Sequence, residues 1–315
     1  MPVKIRSFGG PVTWALRKYH SDFTSKVMLS FTARQYSKSI NSYIHYFITQ
    51  EKPPVFANCM IETLNRCNGT CEFCPANRKD ESRPLKKMPE EMFYDIIRQL
   101  RQMCWNGRIY LNINNEPFLD KRILTFARYA KKELPDIPIT IISNGTLLTP
   151  EKMNEMAGLI DELILNDYSD TYVLSGVHRA IYRHVKRHKN RFRQMHVTIN
   201  RRYSREILAT RAGSAPNKPL KNNTIDAPCI YPFLDLLIFP DGMVGMCCND
   251  CKEITDFGNI TKNTLLEIWN NEKFNELRRA MTAGRSAYPF CTECDVVDAG
   301  EREEFIRRTL RKDGC

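Results

Sequence analysis

From residue 55 onward the chain alternates short apolar runs with amphipathic stretches of helical period. The runs at 55–64 (VFANCMIETL), 108–113 (RIYLNI), 138–143 (PITIIS), 162–166 (ELILN) and 195–200 (MHVTIN) predict strands. Between them, 88–104, 119–134, 149–158 and 170–190 predict helices. Strands that are apolar almost throughout are buried on both faces, as in a parallel sheet covered by helices. The expected fold class is therefore α/β, and the five units predict an open partial (β/α) barrel. No repeat of fixed period and no low-complexity tract interrupts the pattern.

The two ends read differently. Tyr36, Ile40, Tyr43, Ile44, Phe47 and Ile48 recur at helical spacing and form one apolar stripe. Around 212–228 the sequence AGSAPNKPLKNNTIDAP has the texture of a linker or an active-site loop. LDLLIFPDGMVGMCC then predicts a β-hairpin turning at Asp241-Gly242. One helix over about 264–281, a CTEC segment and a final charged helix follow. The expected organisation is a basic amphipathic helical extension at 1–50, a core at 51–222 and a small cysteine-bearing module at 223–315.

The net charge of +11 is uneven: residues 1–50 hold seven lysines and arginines against Asp22 alone. The N-terminal stripe fits a helix docked on the core. It also fits a basic helix lying on an anionic membrane or a partner. The run RAIYRHVKRHKNRFR at 179–193 reads as a solvated helix face, and no nucleic-acid motif stands beside it, so no nucleic acid is expected. No stretch approaches the roughly 18 apolar residues of a membrane span, and MPVKIRSFGG lacks the apolar region of a secretory signal. Twelve cysteines in such a chain point to metal or redox chemistry in a reducing cytoplasm.

Residues 67–74 read CNGTCEFC, three cysteines at C-x3-C-x2-C just after the first core strand. Structural zinc wants four protein ligands, and ferredoxin spacing is different. Three thiolates suit a [4Fe–4S] cube with one iron left without a protein ligand. The alternative is zinc held by Cys71 and Cys74 with another C-x-x-C pair. The stretch IETLNRCNGTCEFCP resembles the signature loop of the radical S-adenosylmethionine (SAM) superfamily. The resemblance covers about residues 55–200 and implies a radical SAM type of partial barrel. It also implies that the open iron of the Cys67, Cys71, Cys74 cluster binds SAM. One electron would then cleave SAM to methionine and a 5′-deoxyadenosyl radical, which abstracts a substrate hydrogen.

In the same family NINNEPFLD (112–120) occupies the place of a Gly-Gly-Glu-Pro-like turn that meets the SAM amino group, here with Asn114, Asn115, Glu116 and Pro117. Asparagine tolerates the left-handed backbone such a turn would use. ISNGTLL (142–148) resembles the motif near the SAM ribose, through Ser143 and Asn144, and Phe73 matches the aromatic beside adenine.

Cys229, Cys247, Cys291 and Cys294 form a second set, with Cys248 and Cys251 close enough to compete with Cys247. Structural zinc remains the alternative occupant. The order of hairpin and helix resembles the twitch or SPASM modules of radical SAM enzymes, most of all the single-auxiliary-cluster type of the aminocyclitol-oxidising members. That implies one auxiliary [4Fe–4S] cluster and oxidation of an alcohol to a ketone on a sugar, aminocyclitol or related small molecule. A flavodoxin- or ferredoxin-type protein is the implied electron donor. Arg211, in TRAG, matches an arginine lying before the first auxiliary cysteine and is expected to bind the hydroxyl. The competing readings are an epimerase using Cys248 or Cys251 as hydrogen donor, a peptide maturase, and a non-catalytic iron–sulfur or zinc scaffold. Cys59 and Cys104 read as core cysteines.

Overall fold

The computed structural model describes residues 3–6, 40–79, 81–171, 173–218 and 227–296. Tyr36, most of the basic N-terminal segment, part of the 212–228 loop and the charged C-terminal helix with Cys315 lie outside the described residues.

All five expected strands form: β2 Asn58–Ile61, β3 Arg108–Tyr110, β4 Ile139–Ser143, β5 Glu162–Asp167 and β6 His196–Arg201. They pair in parallel in the spatial order β2, β3, β4, β5, β6. Three further strands extend the sheet. β1, Val3–Arg6, lies parallel on β6, so this part of the expected helical extension is a strand. At the other edge β7, Asp235–Ile238, pairs in parallel with β2, and β8, Val244–Gly245, turns back antiparallel on β7. The expected hairpin is real, and its first strand belongs to the main sheet.

Amphipathic helices cover the sheet. α2, Glu90–Gln102, buries Phe93, Ile96, Ile97 and Leu100, the i, i+3, i+4, i+7 set. α3, Ile123–Glu133, packs beside it, with Phe93 and Phe126 stacked at 4.4 Å. α4, Pro150–Met156, is capped by Thr149, and α5, Gly176–Arg187, by Ser175. Cys59 is fully buried in the core as expected. Cys104 is exposed instead, because α2 ends at Gln102 and Cys104 takes a left-handed φ of 48°.

The helical residues 40–49, here α1, bury Ile40, Tyr43, Ile44 and Phe47. Phe47 meets Phe233, on the short α6 (Tyr231–Leu234), edge-on at 5.2 Å, and meets Trp269 at 6.3 Å. From Ile40 on, the apolar stripe is thus used inside the molecule, and among its described residues only Ile48 faces solvent. Beneath it Arg278 is buried with its guanidinium 4.0 Å from the Trp269 ring and 5.1 Å from Phe47. The single helix expected at 264–281 is two: α7, Leu265–Trp269, and α8, Glu272–Ala283. Asn271 makes the break, because its side chain accepts from Phe274 N and caps a new helix.

Candidate active site

β2 delivers the chain to the C-terminal edge of the parallel sheet, where βα folds place their chemistry. Cys67, Cys71 and Cys74 follow on the next loop. Gly69 N donates to Cys67 Sγ at 3.3 Å. A Cβ on Gly69 would lie 3.3 Å from Cys67 Sγ and 3.9 Å from Cys71 Sγ, so the missing side chain keeps a cradle open beside two sulfurs. Asn77 fastens the loop, its Nδ2 donating to the carbonyls of Cys74 (2.7 Å) and Cys71 (3.3 Å). Burial pushes the Cys67 thiol up to about 11. Burial and then the neighbouring Cys74 and Cys67 push Cys71 up to about 12. Thiols crowded this way become thiolates when metal displaces their protons, and an all-sulfur donor set fits an iron–sulfur centre.

The turn after β3 is tied to the end of β4 by Glu116. Its carboxylate accepts from Ser143 Oγ and Asn144 N, each at 2.8 Å. Neither Asn114 nor Asn115 has a left-handed backbone, so the turn needs no glycine at either position. Asn115 Oδ1 accepts from Ile113 N, and its buried Nδ2 has no hydrogen-bond partner. Asn144 Nδ2 donates to Asn68 Oδ1 at 2.7 Å, linking the β4 turn to the cysteine loop. Gly145 is required: its φ is +72°, and a Cβ would lie 2.6 Å from His178 Nε2. His178 was not legible as part of the site, because in sequence it borders the basic run at 179–193.

Phe73 is buried, its ring 5.7 Å from that of Tyr168, just past β5. Arg202 lies 5.9 Å over Tyr168 and pairs with Glu206. Neither Tyr168 nor Arg202 carries a sequence motif.

Arg211 sits in a turn of three left-handed residues, with φ of 51°, 54° and 83° at Arg211, Ala212 and Gly213. Its Nη2 donates to Asn114 Oδ1 at 2.7 Å and to Cys248 O at 3.1 Å. Burial works against its charge, while the nearby thiols of Cys251, Cys74 and Cys248 hold its pKa above the usual arginine value. Arg211 therefore lies beside Cys248 and Cys251, with Cys74 of the three-cysteine loop near enough to act on its charge. Cys251 is buried beside it, its Sγ donating to Asn114 Oδ1 at 3.4 Å.

Cys229, Cys247, Cys291 and Cys294 line one small cavity, which Tyr231 and Arg285 also face. No carboxylate or histidine lines it, and Cys248 and Cys251 are not part of its wall. Burial, then the other thiols, holds Cys247 well above the usual value and pushes Cys291 up to about 12. Arg285 donates through Nη1 to Cys294 O at 3.3 Å and lies 3.9 Å from Cys294 Sγ, a cation set against the sulfurs. Three buried thiols and the half-buried Cys229, with one guanidinium, fit a thiolate-bound cluster.

The profile of the Radical SAM superfamily matches residues 61–194, and that of the SPASM iron–sulfur cluster-binding domain matches 229–295. The S-adenosyl-L-methionine-dependent 2-deoxy-scyllo-inosamine dehydrogenase of Niallia circulans is 23% identical over 254 residues, covering 80% of this chain and 97% of that protein. The crystal structure of BtrN in complex with AdoMet and 2-DOIA superposes with a TM-score of 0.66 at 24% identity, over 78% of this chain and 94% of that one. Selenomethionine BtrN in an open conformation gives a TM-score of 0.59 at 20% identity, over 81% and 99%. These two likenesses establish the fold. Among the described residues no helix is long and apolar enough to cross a membrane. With both profiles matched in chain order on this fold, the protein is a radical SAM enzyme carrying a C-terminal SPASM-type iron–sulfur module.

Proposed function

We propose that this enzyme oxidises a carbinol of a small polar metabolite, a sugar, aminocyclitol or close relative, to the ketone. The observation that carries the reading is Arg211, held by Asn114 Oδ1 on one side and Cys248 O, next to Cys247, on the other. In this reading Cys67, Cys71 and Cys74 hold the SAM-binding [4Fe–4S] cluster, and Cys229, Cys247, Cys291 and Cys294 hold the auxiliary one. When bound, the first supplies the electron that splits SAM into a hydrogen-abstracting adenosyl group, and the second an acceptor for the substrate's remaining electron. Phe73, backed by Tyr168, forms the wall for adenine. Glu116, Ser143 and Asn144 fix the strand ends around SAM, and Asn115 Nδ2 is the unspent donor there. Arg211 stays protonated, so its task is to bind the hydroxyl and support the developing alkoxide. The name of the Niallia relative supports a dehydrogenase.

The test is anaerobic turnover of reconstituted enzyme, reduced through a flavodoxin- or ferredoxin-type protein, against a panel of cyclitols, aminocyclitols and hexoses. A product two hydrogens lighter, formed in step with 5′-deoxyadenosine, is expected. 5′-Deoxyadenosine formed without that mass loss overturns the reading. Cys251 favours a second one, an epimerase, because its buried thiol donates to the asparagine that holds Arg211. Deuterium taken up from heavy water without ketone decides for it.

A further inference from the structure

Glu62 directly follows β2 and is fully buried, yet no role above uses it. Its backbone continues the ladder, Glu62 N donating to Ile238 O at 3.0 Å, so its position is fixed by the sheet. Its Oε1 accepts from Asn114 N at 2.9 Å. Its Oε2 has no hydrogen-bond partner. The nearest cation, Arg83, stands 3.9 Å away, beyond hydrogen-bond reach. Arg83 is already engaged by Glu81 and Glu253, each at 2.7 Å, and Lys86 also pairs with Glu253 at 2.8 Å. A buried carboxyl oxygen without a donor costs stability, so this one asks for an occupant.

Its surroundings say which. The residue bonded to Oε1 is Asn114, whose Oδ1 takes both Arg211 Nη2 and Cys251 Sγ. Asn114 Nδ2 and Arg211 Nε are likewise buried without partners. Asn114 therefore links, through its backbone N–H and its Oδ1, a carboxyl oxygen that lacks a hydrogen-bond donor to the Arg211 guanidinium, with one more unspent donor on each of Asn114 and Arg211.

We propose that Glu62 is the catalytic base that takes the hydroxyl proton of the carbinol bound at Arg211. The proposal rests on the dehydrogenase reading. In the balanced step the carbinol C–H bond breaks homolytically and its hydrogen goes to the adenosyl group. The O–H proton goes to Glu62 Oε2. The remaining unpaired electron goes to the auxiliary cluster, and the C=O double bond is complete. Arg211, permanently charged, has no capacity for that proton. Burial, opposed by Arg83 and the Asn114 N–H and reinforced by Glu253 and Glu81, holds the Glu62 carboxyl up to about 8. A base poised near working pH is what proton transfer needs. Around this cluster also stand Lys86, shared by Glu253 and Asp241, and, across Asn114, Arg211 and Cys251. Because the base must be ionised, ketone formation rises as pH climbs through about 8.

The experiment compares wild type, Glu62→Gln and Glu81→Gln holoenzymes, matched for iron content and melting temperature, on the same panel with ring-deuterated compounds. Glu81→Gln disturbs Arg83 without touching Asn114 and is expected to keep the wild-type ketone per 5′-deoxyadenosine above the pH step, with the step itself moved to lower pH. In Glu62→Gln, deuterium transfer into 5′-deoxyadenosine is expected to stay within about twofold, while ketone formed per 5′-deoxyadenosine falls roughly 10²-fold. The pH dependence near 8 disappears with it, and Glu62→Asp restores part of the ketone yield. Equal ketone per 5′-deoxyadenosine in wild type and Glu62→Gln overturns the assignment of Glu62 alone. Absence of ketone from wild type overturns the dehydrogenase reading and this assignment together.

Discussion

The backbone N–H of Thr210 donates to Asp295 Oδ1 at 2.6 Å, which fastens the turn bearing Arg211 to the residue just past Cys294. Lys218 pairs with the same carboxylate, and Thr210 Oγ1 donates to the Glu293 carbonyl. Gly213 completes the fit, since a Cβ there would lie 2.2 Å from Glu293 Oε2. The second cysteine set therefore positions Arg211 as well as enclosing a cavity.

Asp295→Ala should loosen that turn. Losing a charge-assisted bond to a buried threonine costs about 1.5–3 kcal/mol locally. The expected result is a lower melting temperature and reduced ketone formation, with SAM affinity unchanged by calorimetry. Unchanged turnover would separate the Thr210 turn from Arg211's work.

Cys71→Ala should remove about four of about eight irons and abolish SAM cleavage, leaving the second cluster's absorbance. Cys291→Ala should do the reverse, keeping SAM cleavage while ketone is lost. Iron analysis and chromatography for 5′-deoxyadenosine check both. Zinc in place of iron in anaerobically isolated protein counts against the whole assignment.

Gly145→Ala forces a side chain into a left-handed residue and against His178. The backbone alone costs about 1–2 kcal/mol. Because Asn144 is bonded to both Glu116 and Asn68, the displacement should weaken SAM binding, read by calorimetry. Adding His178→Ala should recover part of it by opening space.

Arg278→Ala removes donors from the carbonyls of Pro232 (3.0 Å) and Trp269 (2.7 Å) and a cation from an aromatic cage. The loss should be about 3 kcal/mol, combining unpaired buried carbonyls with the ring contact. Chemical denaturation followed by tryptophan fluorescence reports it through Trp269. A shift under about 0.5 kcal/mol would show that the cage is packed by the rings alone.

Local patterns carried much of this protein into view. The Phe93, Ile96, Ile97, Leu100 spacing marks α2, and three cysteines within eight residues mark the first site. What was illegible depends on pairing across the chain. Val3–Arg6 is too short to announce a strand until β6 is beside it, and β7 reads as half of a local hairpin until it meets β2. Spacing put Cys247 in the second set but left Cys248 and Cys251 as competitors, whereas the hairpin turns Cys247 into the cavity and Cys251 toward Asn114. Glu62 has no motif at all. Its character comes from complete burial and from Asn114, 52 positions away in sequence.

Because Asn58 pairs with Arg108 on one side and with Asp235 on the other, β2 is an interior strand whose neighbours come from both halves of the gene product. Cutting the chain ahead of Cys229 would strip that strand bare along one flank and leave an adhesive edge. The two cysteine groups are thus joined through one sheet, β2 leading into the first and β7 following Cys229 of the second.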